Sequence, residues 1–371
     1  MKRITCFTES LGGGGAEHQI VILAMMLADK GYDVKLVTYA SIPDHYDIPE
    51  GIERIDIGTT RWKGKTMKAF IKLLKCFHYF LWIKTDCIIA YRECANLRVL
   101  PPMLLRGRSI RVICSDRNTS TTLTFKHKLL LQFLYKRADY IVPNSVTETR
   151  FIEKHNPALR PKIKTIHNYT DLQQFEESTI PEDTSLIRFA VFSRYSMQKN
   201  PIGFAVALKE LKNKTVRPFE VHWYGTQKNS NGSYSLEYLT LKNKVEELDI
   251  KDVLKLKPAV KNPALFMSNY HAVCLASFYE GFSNSIAEGI CCGKPMLVSN
   301  VSDNSVMVHD GENGFLFNPE DSNSICKAFL SFFDLSYRDM CEMGRRSRIL
   351  AESLFDKDAF IQQYIELIEN R

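Results

Sequence analysis

What the chain lacks narrows it first. No stretch approaches the roughly 18 consecutive apolar residues that a membrane-spanning helix needs, so no transmembrane anchor is expected. The basic start, Met1-Lys2-Arg3, is followed only by Ile4 to Phe7 before polar Thr8-Glu9-Ser10. That reads as a first strand and is too short for a signal peptide. The ten cysteines show no C-x-x-C and no paired spacing with histidine. A disulfide scaffold and a cysteine metal site are both disfavoured, and reduced core thiols of a cytoplasmic protein are expected. The run Gly12-Gly13-Gly14-Gly15 never completes G-x-G-x-x-G, because Glu17 and His18 stand where the third glycine would fall. This argues against a nicotinamide-dependent dehydrogenase.

Acid is missing where base is plentiful. Residues 61–84 hold seven Lys or Arg and no Asp or Glu. The imbalance extends over the first half: residues 1–170 carry 27 Lys+Arg against 15 Asp+Glu (+12), and residues 171–371 carry 22 against 27 (−5). A basic half should face something anionic. No nucleic-acid motif accompanies the charge, so nucleic acid is not the expected partner. Phe70, Ile71, Leu74, Phe77, Leu81 and Trp82 recur at helical spacing, with Lys65, Lys68, Lys72 and Lys75 nearby. Such a helix suits an anionic membrane surface. A helix packed on a sheet with solvated lysines would carry the same pattern.

At 371 residues, with 45% apolar and 25% charged residues, the chain fits two ordinary globular domains. Ile4 to Phe7, the glycine turn, a helix from Ala16 to about Lys30 and a strand at Val34 to Thr38 make a βαβ unit, hence a parallel sheet. Further strands are expected at Asp86 to Tyr91, Ile110 to Cys114 and Tyr140 to Pro143. The polar, acidic residues 171–186 read as a linker. A second series of strands starts at Arg188 to Phe192. The loop after it carries Arg194 and Lys199, two cations five apart that suit a diphosphate.

Residues 277–295 carry the densest signal. Gly281, Ser283, Asn284 and Ser285 are turn and N-cap residues; Ile286, Ala287, Ile290 and Cys291 form one apolar helix face; Gly293 and Pro295 stop the helix. Glu280 precedes the helix and Glu288 lies inside it. A helix start with free amides is a ready anion site, so one element offers a phosphate cradle and two carboxylates for sugar hydroxyls. Two solvated glutamates on an ordinary amphipathic helix would look alike on spacing alone.

This wording resembles S-x-x-E-G-F-x-x-x-x-x-E-A-x-x-x-G-x-P, the signature of the retaining, nucleotide-sugar-dependent glycosyltransferases of family four. Gly289 stands where the family has Ala. The resemblance spans nearly the whole chain, with its motifs in order: G-G-A-E after the first strand, A-D-Y-I-V-P-N-S at 138–145, I-H-N-Y-T-D at 166–171, and S-R-x-x-x-x-K at 193–199. It implies an α/β architecture of the GT-B type, two Rossmann-like parallel-sheet domains facing across a deep interdomain cleft. Residues 1–170 would be the acceptor-binding domain, 171–186 the linker, 187–353 the nucleotide-sugar domain, and 354–371 a terminal helix returning to the first domain.

The resemblance also implies roles. Arg194, Lys199 and the helix start near Ser285 would neutralise the departing diphosphate, and Glu288 would hold the ribose. Glu280, with the amides of Gly281, Phe282, Ser283 and Asn284, would orient the donor sugar. Gly14 and Gly15 would approach the donor phosphates, and Val260 the base. Many relatives carry a histidine after the Ile110 to Cys114 strand; this chain has Asp116 and Arg117, candidates to hold sugar hydroxyls. A nucleoside diphosphate sugar, with uridine diphosphate the commonest carrier, would be the co-substrate, with no other cofactor and no metal. The acceptor would be a lipid-linked glycan of surface-polysaccharide synthesis, met at the cytoplasmic face of the inner membrane. A sugar-nucleotide epimerase and a noncatalytic nucleotide-sugar-binding or membrane-assembly subunit remain the other readings.

Overall fold

The structure, a computed structural model, describes residues 1–12, 15–40, 42–59, 64–117, 122–229 and 232–370, with the backbone alone for Lys65. The chain forms two compact units, Met1–Tyr169 with Lys357–Arg371, and Thr170–Asp356. In chain order the first unit holds β1 (Arg3–Thr8), α1 (Gly15–Asp29), β2 (Asp33–Thr38), β3 (Glu53–Asp56), α2 (Lys65–Trp82), β4 (Cys87–Tyr91), α3 (Glu93–Leu105), β5 (Arg111–Asp116), α4 (Phe125–Gln132), β6 (Tyr140–Pro143) and α5 (Val146–His155). The second holds β7 (Ile187–Phe192), α6 (Pro201–Lys214), β8 (Phe219–Gly225), α7 (Leu236–Glu247), β9 (Leu254–Pro258), α8 (Ala264–Met267), β10 (Ala272–Leu275), α9 (Asn284–Cys291), β11 (Met296–Ser299), α10 (Asn304–Met307), β12 (Gly314–Phe317), α11 (Ser322–Phe333) and α12 (Tyr337–Leu354). The last helix, α13 (Lys357–Glu369), belongs to the first unit.

Each unit is a doubly wound parallel sheet, with strand order β3-β2-β1-β4-β5-β6 in one and β12-β11-β10-β7-β8-β9 in the other. All strand pairs within the two sheets are parallel. Helices cover both faces, which is why central strands such as β4 (CIIAY) and β10 (AVCL) are apolar throughout and fully buried. The strand order reverses between β1 and β4 in one sheet and between β7 and β10 in the other. In open α/β sheets ligands bind beyond the carboxyl ends of strands at such a reversal. The loops after β7 and β10 therefore matter most in the second unit.

Two segments gain detail from the structure. Residues 171–186, read as a linker, are fastened to the second unit. Ile180 is buried, Ser178 Oγ donates to the Cys292 carbonyl, Lys294 Nζ to the Thr179 carbonyl at 2.6 Å, and Arg348 Nη1 to the Phe175 carbonyl. The apolar stripe of α2 is also divided. Cys76 and Phe80 turn inward and are fully buried, while Met67, Phe70, Leu74 and Trp82 are exposed. Among the described residues no helix is long and apolar enough to cross a membrane. All ten cysteines are free, eight of them buried.

Candidate functional site

The site is built from two loops at the strand reversal of the second unit. The first leaves β7 and is pinned by a buried tyrosine. Tyr195 Oη donates to the backbone oxygens of Trp223 (2.8 Å) and Lys257 (2.7 Å), and Trp223 Nε1 donates to the Ser193 carbonyl at 3.0 Å. A Cβ on Gly225 would stand 2.6 Å from that same carbonyl oxygen, so only glycine permits this approach. The anchor leaves Arg194 exposed between two fixed neighbours. The chain then makes one 3-10 turn (Met197–Lys199) and enters α6 through Asn200. Asn200 adopts a left-handed conformation (φ 53°), and its side chain accepts from the Gly203 amide at 3.1 Å.

The second loop leaves β10 and carries Glu280. Lys199 Nζ is ion-paired to Glu280 Oε1, and Ser277 Oγ donates to the same oxygen. Both partners of the ion pair are largely buried, with side-chain exposures of 12% and 8%. The backbone reinforces the junction: the Phe278 amide donates to the Gln198 carbonyl, and Gln198 Nε2 donates to the Tyr279 carbonyl, both at 2.9 Å. The Glu280 amide donates to Ser302 Oγ at 3.0 Å. Ser302 holds φ at 52°, a left-handed conformation that a serine adopts only under constraint. Ser277 is the serine that opens the S-x-x-E-G-F wording, whereas nothing in the sequence pattern pointed to Ser302.

Gly281 follows, then Phe282, buried and edge-on to Phe355 at 6.1 Å. Ser283 occupies the N-cap of α9 but does not bond the first-turn amides through its side chain; its hydroxyl meets Ser285 Oγ at 3.3 Å. One turn on, Glu288 is half-buried, and desolvation pushes its carboxyl up to about 7. No described side chain balances it. Gly289 is closely packed: a Cβ there would stand 2.8 Å from Met296 Sδ, so the methionine side chain would have to shift. Gly293 ends the helix at φ 67°.

The two loops and α9 bring together Arg194, Lys199, Glu280, Gly281, Phe282, Ser283, Asn284, Ser285 and Glu288, all in the second unit. Val260 lies there too, half-buried between β9 and α8. Gly15 opens α1 in the first unit, and Gly14 lies outside the described residues.

Asp116 and Arg117, the candidates to hold sugar hydroxyls, sit at and just after the end of β5. Both are buried and engaged inside the first unit. Asp116 accepts from Asn96 Nδ2 at 2.9 Å, and Tyr135 Oη sits 2.6 Å and 2.8 Å from its two oxygens. Burial, helped by the Glu148 charge, pushes the Asp116 carboxyl up to about 7. Arg117 donates to Asn168 Oδ1 (2.9 Å), Tyr91 Oη (2.9 Å) and Tyr364 Oη, and its guanidinium stacks over the Tyr91 ring at 4.4 Å. Tyr364 is on α13, so Arg117 acts as a staple for the last helix. The strand reversal of the first unit instead presents Arg92. It follows β4 at a left-handed φ of 80° and pairs with Glu17 of α1 at 3.0 Å.

Comparison with known proteins agrees with this geometry. Residues 172–348, nearly the whole second unit, match the family Glycosyl transferases group 1. The chain is 23% identical over 339 residues, 88% of each chain, to the N-acetylgalactosamine-N,N'-diacetylbacillosaminyl-diphospho-undecaprenol 4-alpha-N-acetylgalactosaminyltransferase of Campylobacter jejuni. It is 24% identical over 228 residues (57% of this chain, 56% of the relative) to the UDP-Gal:alpha-D-GlcNAc-diphosphoundecaprenol alpha-1,3-galactosyltransferase of Escherichia coli. Among solved structures, Anabaena HepE in complex with UDP and glucose superposes with a TM-score of 0.78 at 18% identity, covering all of both chains. With two parallel-sheet Rossmann-like units and these relatives, the chain is a GT-B glycosyltransferase related to the Glycosyl transferases group 1 family.

Proposed function

We propose that this glycosyltransferase moves a hexosyl or N-acetylhexosaminyl unit from a uridine diphosphate sugar to a hydroxyl of a lipid-linked glycan, with retention at the anomeric carbon. The observation that carries the donor site is Glu288: a desolvated carboxyl that no described side chain balances, one turn into a helix whose N-cap serine makes no side-chain cap. Vicinal ribose hydroxyls would supply the missing donors, and the diphosphate would then lie toward the amides of α9. Arg194 and Lys199 neutralise charge building on the leaving diphosphate, an electrostatic contribution that usually dominates such chemistry. Glu280, held on one oxygen by Lys199 and Ser277, is rigid enough to orient the donor sugar. The departing phosphate oxygen takes the proton of the acceptor hydroxyl on the same face of the sugar, giving retention without a separate base.

The acceptor class rests on two observations. Two relatives act on diphospho-undecaprenol substrates by name, and the first unit exposes the apolar, lysine-flanked helix α2. Through Lys65, Lys68, Lys72 and Lys75 that helix suits an anionic leaflet, and we place the enzyme as a peripheral protein on the cytoplasmic face of the membrane. The test is nucleoside diphosphate release from uridine, guanosine and adenosine diphosphate sugars, with and without a lipid-linked acceptor extract. Acceptor-stimulated release from a uridine donor, lost in Lys199→Ala and Glu288→Ala, is expected. Release that ignores the acceptor would overturn the reading in favour of an epimerase or hydrolase.

A further inference from the structure

The proposed membrane contact rests on α2 alone, and the fold extends it. Right-handed crossovers from β3 to β4, β4 to β5 and β5 to β6 put α2, α3 and α4 on one face of the first sheet, where α2 packs on α3 and α3 on α4. The ends are tied as well: Arg106 Nη1, just past α3, donates to the Ile83 carbonyl at 2.6 Å, and His127 of α4 pairs with Glu93 of α3 at 2.7 Å. The three helices form one layer.

The outer surface of that layer is apolar in the wrong places for a protein facing water. At about 100° per residue, Leu74 lies across α2 from buried Cys76 and Phe80, and Phe70 (56% exposed) lies on the flank between them. On α4, Leu130 and Leu131 face inward, while Phe125 (81% exposed), Leu129 and Phe133 run along the outside. Trp82 (69% exposed), Leu104 and Leu105 close the gap at the carboxyl ends of α2 and α3. Scattered apolar residues are normal on a surface, but stripes aligned on adjacent helices mark a binding face.

Charge identifies the occupant. Helices α2 and α4 contain Lys65, Lys68, Lys72, Lys75, Lys126 and Lys128 and no acid, and the single acid of α3, Glu93, is paired with His127. Two copies of this face brought together about a twofold axis would set lysine against lysine. An anionic lipid leaflet takes both components, accepting the aromatic side chains between its headgroups and the lysines at its phosphates. We propose that α2, α3 and α4 form a single platform that lies flat on an anionic bilayer, with α4 contributing as much as α2. This deepens the membrane reading of α2 and is independent of the donor chemistry.

The test is co-sedimentation of the full chain with vesicles of phosphatidylcholine containing phosphatidylglycerol. Two variants are compared with wild type: Phe70→Ser/Leu74→Ser on α2 and Phe125→Ser/Phe133→Ser on α4. All four side chains are exposed, and UDP affinity, read in the same samples, reports that the second unit is intact. Each pair is expected to lower partition by at least about tenfold, because each removes two inserted apolar side chains. Lys126→Gln/Lys128→Gln is expected to weaken binding about tenfold on anionic vesicles and not on pure phosphatidylcholine. Loss in the α2 pair with wild-type partition in the α4 pair would overturn the platform and leave the α2 reading standing. No binding by wild type would overturn both. A wild-type dimer in the absence of lipid, dissolved by the α4 pair, would show the face to be a protein interface and also overturn the proposal.

Discussion

Replacing Glu288 with glutamine should stabilise the second unit at high pH while removing its ability to hold a donor. A glutamate carboxyl ordinarily titrates near 4.5, and desolvation pushes that of Glu288 to about 7. Because the folded value lies above the unfolded one, the folded state is favoured at low pH and loses stability as the unfolded carboxylate ionises ahead of the folded one. The loss begins near pH 4.5 and is complete once pH passes about 7. Between pH 5 and pH 8 it amounts to about 2 kcal/mol, taking about 1.36 kcal/mol for each pH unit between the two titration points and reducing the product for the half-exposed position. Glutamine has the same shape and no charge to desolvate, so Glu288→Gln should match wild type near pH 5 and exceed it at pH 8. Urea unfolding followed by Trp223, buried in the second unit, measures this in a Trp62→Phe/Trp82→Phe background. The reasoning fails if the variant's gain is the same at both pH values, or if it still binds UDP like wild type.

Three further outcomes follow from the site. Glu280→Gln or Lys199→Met leaves one buried charge without its partner, so either should lose about 3–5 kcal/mol in the same unfolding assay; a surface-like loss below about 1 kcal/mol would contradict the buried pair. Ser302→Gly relieves the left-handed conformation that Ser302→Ala keeps, and both lose the hydrogen bond to the Glu280 amide. The glycine variant should therefore be more stable than the alanine one by about 1 kcal/mol, while turnover falls equally in both; equal turnover to wild type would remove Ser302 from the positioning of Glu280. Arg117→Met should free α13, visible as faster proteolysis after residue 356, with UDP affinity unchanged; lost UDP affinity with α13 still protected would return Arg117 to the site.

How much of this could be read from the sequence depended on whether the pattern was local. The 277–295 stretch is a self-contained loop and helix, so Glu280, the N-cap at Ser283, the apolar face and Gly293 are visible in one reading frame. The strands of both sheets are buried on both faces and stand out as apolar runs. The residues after a strand are harder, because the same polar pair can turn outward to a ligand or inward to a partner. Asp116 and Arg117 turn inward because Tyr135, Asn96 and Tyr364 arrive from positions 19, 20 and 247 residues away in sequence. Arg92 and Ser302 were invisible for a related reason: their importance lies in a positive φ, which neither residue type signals. Residues 171–186 carry a linker's composition, yet Lys294, from more than 100 residues on, fastens them to the second unit.

The central claim is that the loops after β7 and β10, together with α9, cradle a nucleoside diphosphate. Calorimetric titration of UDP into wild type, Lys199→Ala and Glu288→Ala tests it most directly. The account predicts binding by wild type that weakens at least about tenfold in each variant, since each loses a charged or hydrogen-bonding contact to the nucleotide. Wild-type affinity in both folded variants, or no nucleoside diphosphate bound by wild type, would contradict it.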